Sequence, residues 1–228
     1  MARAHAVPSE ESFQIPAAAF AFEGFRKWAQ SETFPESGRI DYLAGDVDVD
    51  MSPEEISTHS LVKSAFALGL GILIAERELG YLFIDRTRVS SPSAQLSVEP
   101  DLVVLFQESL RESRVHLRSW SARNPDRLTE IEGPVDLVVE VVSDSSVGKD
   151  TKRLPHLYAQ AGVPELWIAD ARGEALRFDI HTFKDGVYTR VRPNVGGWIR
   201  SPRLDASFRL VRRRDPFTGW AYTLERRG

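Results

Sequence analysis

Two acidic residues adjoin apolar stretches that are typical of buried strands. Asp101 directly precedes Leu102–Phe106, and Glu140 lies inside residues 135–142, a run with almost no polar face. A carboxylate buried without a partner loses much of its solvation, so each must be neutral or be held by hydrogen bonds, a cation or a metal. If adjacent strands bring the two carboxylates together, they repel each other unless a cation joins them, and such hard oxygen ligands favour Mg²⁺ or Mn²⁺.

A metal held in this way would suit phosphodiester hydrolysis. It lowers the pKa of a bound water and neutralises the charge that develops on a phosphate, and a nearby lysine would orient that water or stabilise the transition state. Lys149 and Lys152 follow the strand of Glu140, and Pro155 restricts both to a loop or to the first turn of the next helix. Either lysine could reach the site, but two ordinary solvated lysines fit the same pattern equally well.

Further motifs surround these acids. The chain contains Pro100-Asp101 and then Glu140-Val141-Val142, followed by a helix and a strand. This order resembles that of the PD-(D/E)XK nuclease superfamily. More closely, the chain resembles the bacterial Uma-two family of restriction-endonuclease-like proteins, long known as a domain of unknown function. The likeness spans roughly residues 35–185, and the motifs that stand at that family's spacings are Met51-Ser52-Pro53, His59, Asp150 and residues 158–167 (YAQAGVPELW).

The resemblance implies an α/β (α+β) restriction-endonuclease-like fold, in which a central mixed β-sheet is flanked by helices. It implies that Asp101 and Glu140 are ligands of Mg²⁺ or Mn²⁺. With less weight it adds Asp41, an acid four residues before the hairpin glycine Gly45, as a metal ligand, and His59, at the start of a long helix, as a site residue.

The catalytic lysine is where this chain departs from the pattern. The superfamily's usual position, two residues after the glutamate, is Val142, and the displaced position of this family is Leu154. Of the two lysines nearby, Lys152 is closer to the family position, so we prefer it to Lys149 as the lysine that completes the site.

The function that the resemblance implies is that of a metal-dependent endonuclease that hydrolyses phosphodiester bonds of DNA. The missing lysine and the acidic net charge favour a competing interpretation, a nuclease-fold module with a binding or regulatory role and no turnover. A hydrolase of another substrate stays open as a third class, because the phosphate chemistry comes from the resemblance and not from the residues alone.

The order strand, helix, strand in residues 135–170 forms the centre of the predicted fold, with Gly162 as the helix stop. Before it, we expect a helix over residues 16–30, a hairpin over residues 38–51 with Asp46, Asp48 and Asp50 on its wet face, and a helix from Ser57 or Thr58 to Leu79. A calcium loop at these aspartates is excluded, because its sixth and twelfth positions hold Met51 and Ser57.

Other stretches give weaker signals. We expect a strand over residues 81–88, a loop over residues 90–97 and a polar segment over residues 107–133, part loop and part short helix. The arginines of that segment, which include Arg123, belong either to a solvated surface or to a nucleic-acid-facing insertion. We divide the chain into a tail and helix (1–34), a nuclease-like core (35–185) and a β extension (186–228) that covers a sheet edge or forms a homodimer contact.

Composition narrows the class of protein. The chain has 228 residues, a net charge of −4 and no cysteine, which excludes a disulfide framework, a thiolate zinc site and a cysteine nucleophile and fits a cytoplasmic location. The longest apolar run, residues 65–75, is too short to span a bilayer. Residues 1–12 have the composition of a loose tail. Arginines concentrate near the other terminus, including residues 212–214, where we favour a solvated edge over a nucleic-acid footprint.

Overall fold

A mixed six-stranded sheet lies at the centre of the computed structural model, which describes residues 14–121 and 124–228. The predicted tail and Arg123 lie outside these residues. The helices are α1 (Phe22–Ala29), α2 (Leu61–Glu76), α3 (Gln107–Arg111) and α4 (Leu154–Ala161). The strands are β1 (Arg39–Leu43), β2 (Asp46–Asp50), β3 (Gly80–Ile84), β4 (Arg88–Ser91), β5 (Leu96–Val98), β6 (Leu102–Phe106), β7 (His116–Ser121), β8 (Asn124–Glu132), β9 (Leu137–Val141), β10 (Glu165–Asp170), β11 (Arg177–Lys184), β12 (Val187–Arg190), β13 (Ile199–Ser201), β14 (Ala206–Asp215) and β15 (Gly219–Arg227).

The strands form three sheets. The central sheet has the order β12-β11-β10-β9-β6-β3, with β9 and β10 parallel and its other pairs antiparallel. The first sheet has the order β2-β1-β5-β4-β8-β7, and the third is the antiparallel unit β13-β14-β15. The fold is therefore the mixed α/β architecture that the resemblance implies, with a C-terminal antiparallel extension.

Both faces of the central sheet are covered, which explains why its strands are apolar on both sides. Leu102 and Val139 face α2 and the third sheet, whereas Val103 and Val138 face α4 and the first sheet. Successive side chains of a strand alternate between faces. Asp101 and Glu140 are therefore on the face of Val103 and Val138, between the central sheet and the first sheet.

Helix α2 packs on the other face. The helical segment Ile56–Glu76 is long and apolar enough to cross a bilayer, by length and hydropathy alone. We expected the apolar run within it, residues 65–75, to be too short for this. Core helices pass the same test, and Phe66, Leu70 and Leu73 of α2 are fully buried in the cluster that joins the helix to the central sheet.

Several predicted elements were wrong in detail. The helix expected over residues 16–30 is a short 3-10 turn (Ala17–Phe20) followed by α1, because Ala21 between them is extended. The cap of the long helix is Glu55, whose carboxylate accepts hydrogen bonds from the backbone N–H groups of Ser57 and Thr58 before a π-helical turn, Ile56–Ser60.

The polar strands were also missed. The expected loop over residues 90–97 contains the end of β4 and the start of β5, and most of the polar segment over residues 107–133 forms the β7–β8 hairpin. In β4 and β5 the polar side chains bond each other inside the sheet: Ser90 Oγ donates to Ser97 Oγ at 2.9 Å. Such strands lack the apolar alternation by which a strand is recognised in a sequence.

Candidate active site

Strand register places Asp101 and Glu140 opposite each other at one end of the central sheet. Leu102 of β6 pairs with Val139 of β9 in antiparallel register, so the next pair outward is Asp101 and Glu140. The backbone N–H of Val141 donates a hydrogen bond of 2.7 Å to Asp101 Oδ2. Both acidic side chains are buried. The structure thus brings together the two acids that the sequence analysis selected.

Glu140 lies among negative charges. Burial raises its pKa well above the usual value, and the charges of Asp101 and Asp150 raise it further. The hydroxyl of Tyr158, on α4, donates to Glu140 Oε1 at 2.5 Å. Burial also raises the pKa of Asp150, to about 6, and its Oδ1 atom is buried without a hydrogen-bond partner in the described part of the chain.

Asp101 is held by two cationic side chains. Arg39 Nη2 lies 2.7 Å from Asp101 Oδ1, and His59 Nε2 lies 3.5 Å from Oδ2. Burial opposes ionisation of Asp101, but the hydrogen bond to His59 and the charge of Arg39 outweigh it and hold the pKa well below the usual range.

His59 connects this carboxylate to the protein surface, since its Nδ1 atom is 3.1 Å from Glu54 Oε1. Burial alone would lower the pKa of His59, but the hydrogen bond and the charge of Asp101 raise it overall. The imidazole, which lies between two carboxylates, therefore binds a proton more readily than a free histidine does. The histidine that the resemblance singled out is in contact with Asp101.

A second ion pair lies beside the first. Lys149 Nζ is 3.2 Å from Asp41 Oδ2 and 3.4 Å from Asp48 Oδ1, and Asp41 Oδ1 accepts from the backbone N–H of Glu99 at 3.0 Å. Burial would lower the pKa of Lys149, but the charge of Asp41 outweighs it and raises the pKa above the usual value. The ammonium group is therefore charged although it is buried.

We expected Lys152 to complete the site, but Lys149 is the lysine that contacts the acidic cluster. Both belong to the π-helical turn Lys149–Arg153 that leads into α4. This turn directs Lys149 and Asp150 inward, where both are buried. Lys152, three residues after Lys149, is exposed and forms no hydrogen bond or ion pair with any described residue. Leu154, at the displaced lysine position, is buried in the apolar cluster beneath the sheet.

Arg39 is the residue that sequence reasoning missed. It interacts electrostatically with Asp101, Asp41 and Glu140, so it lies at the centre of the acidic cluster. Its one sequence signal is its spacing: two residues before Asp41 on a strand places both side chains on one face. Tyr158 and Asp150 stood in family motifs without an assigned role, and the structure gives both a place beside Glu140.

A cavity of about 490 Å³ opens over Arg39 and His59. Its wall is rich in acidic side chains, contributed by Asp50, Glu54, Glu55, Asp85, Glu99 and Asp144. The hairpin strand β2 is an edge strand of the first sheet. Two of its aspartates are not simply solvated, however: Asp48 contacts Lys149, and Asp50 accepts from Ser145 Oγ at 2.7 Å.

The donor set suits a divalent metal ion. The acids supply hard oxygen ligands, the pKa of Glu140 is raised by burial and by its neighbours' negative charges, and Asp150 Oδ1 is buried without a hydrogen-bond partner among the described residues. With the side chains in their present positions, no three acidic or histidine side chains of the described residues are grouped as metal ligands. Arg39 and His59 contact the oxygens of Asp101, so a metal would have to compete with them for that carboxylate.

Comparison with known proteins agrees with this architecture. A family model named Uma2 and described as "Putative restriction endonuclease" matches residues 22–211. Among solved structures, the chain is similar to the crystal structure of a "putative nuclease belonging to DUF820" from Anabaena variabilis. The TM-score is 0.59 and the sequence identity 15%, over 81% of this chain and 90% of the other. No curated protein matches.

Proposed function

Because the chain belongs to the Uma2 family of restriction-endonuclease-like proteins, we propose that it is a metal-dependent endonuclease that hydrolyses phosphodiester bonds of DNA. One observation supports this most directly. Asp101 and Glu140 are opposed on adjacent strands in a buried cluster, and the two residues that contact Asp101, Arg39 and His59, line the cavity. Carboxylates so arranged repel each other, and a divalent cation would relieve that repulsion.

In this proposal, Asp101 and Glu140 hold Mg²⁺ or Mn²⁺, with Asp41 as a further oxygen ligand. The bound ion would lower the pKa of a water and neutralise charge on the scissile phosphate. Tyr158 orients Glu140 through its hydrogen bond to Oε1, and His59 orients Asp101. Both act as positioning residues.

Lys149 takes the role of the catalytic lysine in this proposal. Its charged ammonium group lies in the cluster, where a fixed positive charge stabilises the negative charge that develops on the phosphate oxygens. It reaches the cluster from the turn that precedes α4, whereas the family position lies at the first residue of that helix.

A plasmid-nicking assay tests the proposal. Supercoiled DNA is incubated with the purified protein in Mg²⁺, in Mn²⁺ or in EDTA. We expect cleavage only with metal, reduced about a hundredfold or more in Asp101→Asn and in Glu140→Gln, since each loses a charged ligand. Lys152→Met, which changes an exposed residue outside the cluster, is the matched control and should cleave as the wild type does. Circular dichroism checks that each variant is folded.

The competing function is a nuclease-fold module that binds without turnover, and one contact favours it. Arg39 is paired with Asp101 at 2.7 Å, in competition with any metal for that carboxylate. No cleavage by the folded wild type in either metal would favour the module. Equal cleavage by the wild type and Asp101→Asn would assign the activity to a contaminant.

A further inference from the structure

The β14–β15 hairpin, whose strand β15 contacts the turn that carries His59, ends in a basic and aromatic tip. Its inner half is buried, with Phe208, Leu210 and Leu224 in the cluster formed with α2 and the central sheet. Its outer half carries Arg213 and Arg214, which are exposed, and ends in a turn at Phe217, whose side chain is 93% exposed. A single exposed apolar side chain is common on protein surfaces, but here two exposed arginines accompany it on the same hairpin.

The tip is ordered by its own contacts. Asp215 Oδ1 accepts hydrogen bonds from the backbone N–H groups of Phe217 and Thr218, at 3.0 and 2.9 Å. The guanidinium carbon of Arg214 lies 3.9 Å from the centre of the Trp220 ring, its cross-strand partner. Neither Arg213 nor Arg214 forms an ion pair within residues 14–121 and 124–228. The tip thus presents two arginines, one exposed aromatic ring and the carboxylate of Asp215, which interacts electrostatically with Arg213.

One neighbour of the hairpin lines the cavity, and the other contacts a residue of its wall. Strand β15 contacts the π-helical turn Ile56–Ser60, which carries His59. Arg212 Nη1 donates to the carbonyl of Gly173 at 3.0 Å, and in the same loop Arg172 pairs with Asp144 of the cavity wall at 3.2 Å. The hairpin therefore rises beside the entrance to the site.

The charge of the cavity wall bears on where a nucleic acid could bind. Acidic side chains outnumber Arg39, Arg86 and His59 in the cavity wall, and four of the acids pair with Lys63, Arg88 or Arg172. The wall therefore offers a phosphate backbone little net attraction. A separate cationic surface has to hold the nucleic acid near the site.

We propose that the tip, defined by Arg213, Arg214 and Phe217, is the docking surface for a DNA strand. The arginines bind phosphates, and Phe217 stacks on a base. A base is free to stack only where the strand is unpaired, so the favoured partner is single-stranded DNA or an unpaired segment. This inference rests on the proposed function, because it names where the substrate of that function docks.

Fluorescence anisotropy of a labelled single-stranded oligonucleotide in EDTA tests this without cleavage. We expect Arg213→Ala/Arg214→Ala to weaken binding about tenfold or more and to lower the slope of log affinity against log salt by about one to two, the value for two phosphate contacts. Phe217→Ala should weaken single-strand binding about fivefold or more and leave binding of the matching duplex nearly unchanged. These side chains are outside the core, so both variants should melt as the wild type does.

The matched control is Arg111→Ala/Lys184→Ala. It removes two exposed charges at the opposite end of the central sheet, beyond the ends of β6 and β11 that lie away from Asp101, and it should bind as the wild type does. Wild-type affinity in the tip variants, equal weakening in the control, or absence of DNA binding would overturn the inference. So would tip-dependent binding of phosphatidylglycerol vesicles without DNA binding.

Asp101→Asn separates this inference from the proposed function. It should lose cleavage and keep wild-type DNA affinity. Tip-dependent binding by a wild-type protein that never cleaves would refute the nuclease proposal alone, and cleavage with tip-independent binding would refute the docking surface alone.

Discussion

Arg39→Met should destabilise the metal-free protein and make its stability depend on a divalent cation. Arg39 forms the 2.7 Å ion pair with the fully buried Asp101 and also faces Asp41 and Glu140. Methionine keeps much of the length of the side chain and removes the charge. The acidic cluster then keeps only Lys149 beside Asp41 and His59 beside Asp101, and its remaining negative charge favours uptake of protons or of an ion from solution.

The structure sets the size of the effect. Breaking a buried ion pair by removing one partner typically costs about 3–5 kcal/mol. Arg39 keeps 23% of its side chain exposed at the cavity, so water screens part of the loss and we expect about 2–3 kcal/mol. In a chain of this length that lowers the Tm by about 4–12 °C.

The assay is thermal unfolding in EDTA and then in Mn²⁺. The matched control is Arg153→Met, because Arg153 pairs with the exposed Asp46 at 2.8 Å and surface pairs contribute about 0–1 kcal/mol. In Mn²⁺ the Arg39→Met protein should gain more stability than the wild type, since the metal no longer competes with a guanidinium. The double variant Arg39→Met/Asp101→Asn should recover part of the loss, because neither charge is left unpaired.

Two results would refute this reasoning. If Arg39→Met melted within a degree of Arg153→Met in EDTA, the guanidinium would not be what holds the carboxylates together. If Mn²⁺ stabilised Arg39→Met no more than the wild type, a metal would not compete with Arg39 for Asp101.

Three further predictions follow from the site. Lys149→Met should slow metal-dependent plasmid nicking about a hundredfold by removing the charge beside Asp41, whereas Lys152→Met should stay within about twofold of the wild type, and equal rates in the two variants would contradict the assignment. Tyr158→Phe should cost about 1–3 kcal/mol in urea unfolding, because Glu140 loses the donor to Oε1, and an unchanged unfolding midpoint would show that this bond contributes nothing. Burial raises the pKa of Asp150 to about 6 in the folded state, so the folded state binds this proton more tightly than the unfolded state does. The resulting stabilisation of the folded state is present at low pH and is lost as the pH rises from about 4 to 6. Asp150→Asn should therefore gain stability relative to the wild type, by up to about 2 kcal/mol, between pH 4.5 and pH 7 in EDTA, and a difference that is constant with pH would argue against the shift.

The sequence alone determined the elements that carry the two main acids. Residues 102–106 and 137–141 are apolar on both faces, a pattern that predicts strands covered on both sides, and the structure confirms both as β6 and β9. The helix between residues 154 and 161 and its stop were equally readable, because Gly162 adopts the left-handed conformation that ends helices, with a φ of 77°. A lone glutamate in such a strand needs a partner, so Glu140 could be selected before any contact was known.

Only the tertiary structure decided which charges surround these acids. Periodicity reports how one element is buried, but the neighbours of a buried carboxylate come from elements far away in the chain. Arg39 reaches Asp101 from the first sheet, across 62 residues, and Lys149 reaches Asp41 across 108. Which of Lys149 and Lys152 reaches the acidic cluster depends on the direction in which one helical turn points its side chains. Distance along the sequence from the family's lysine position does not give that direction. The same reason explains the polar strands β4 and β5, whose side chains are satisfied by partners that exist only once the sheet has formed.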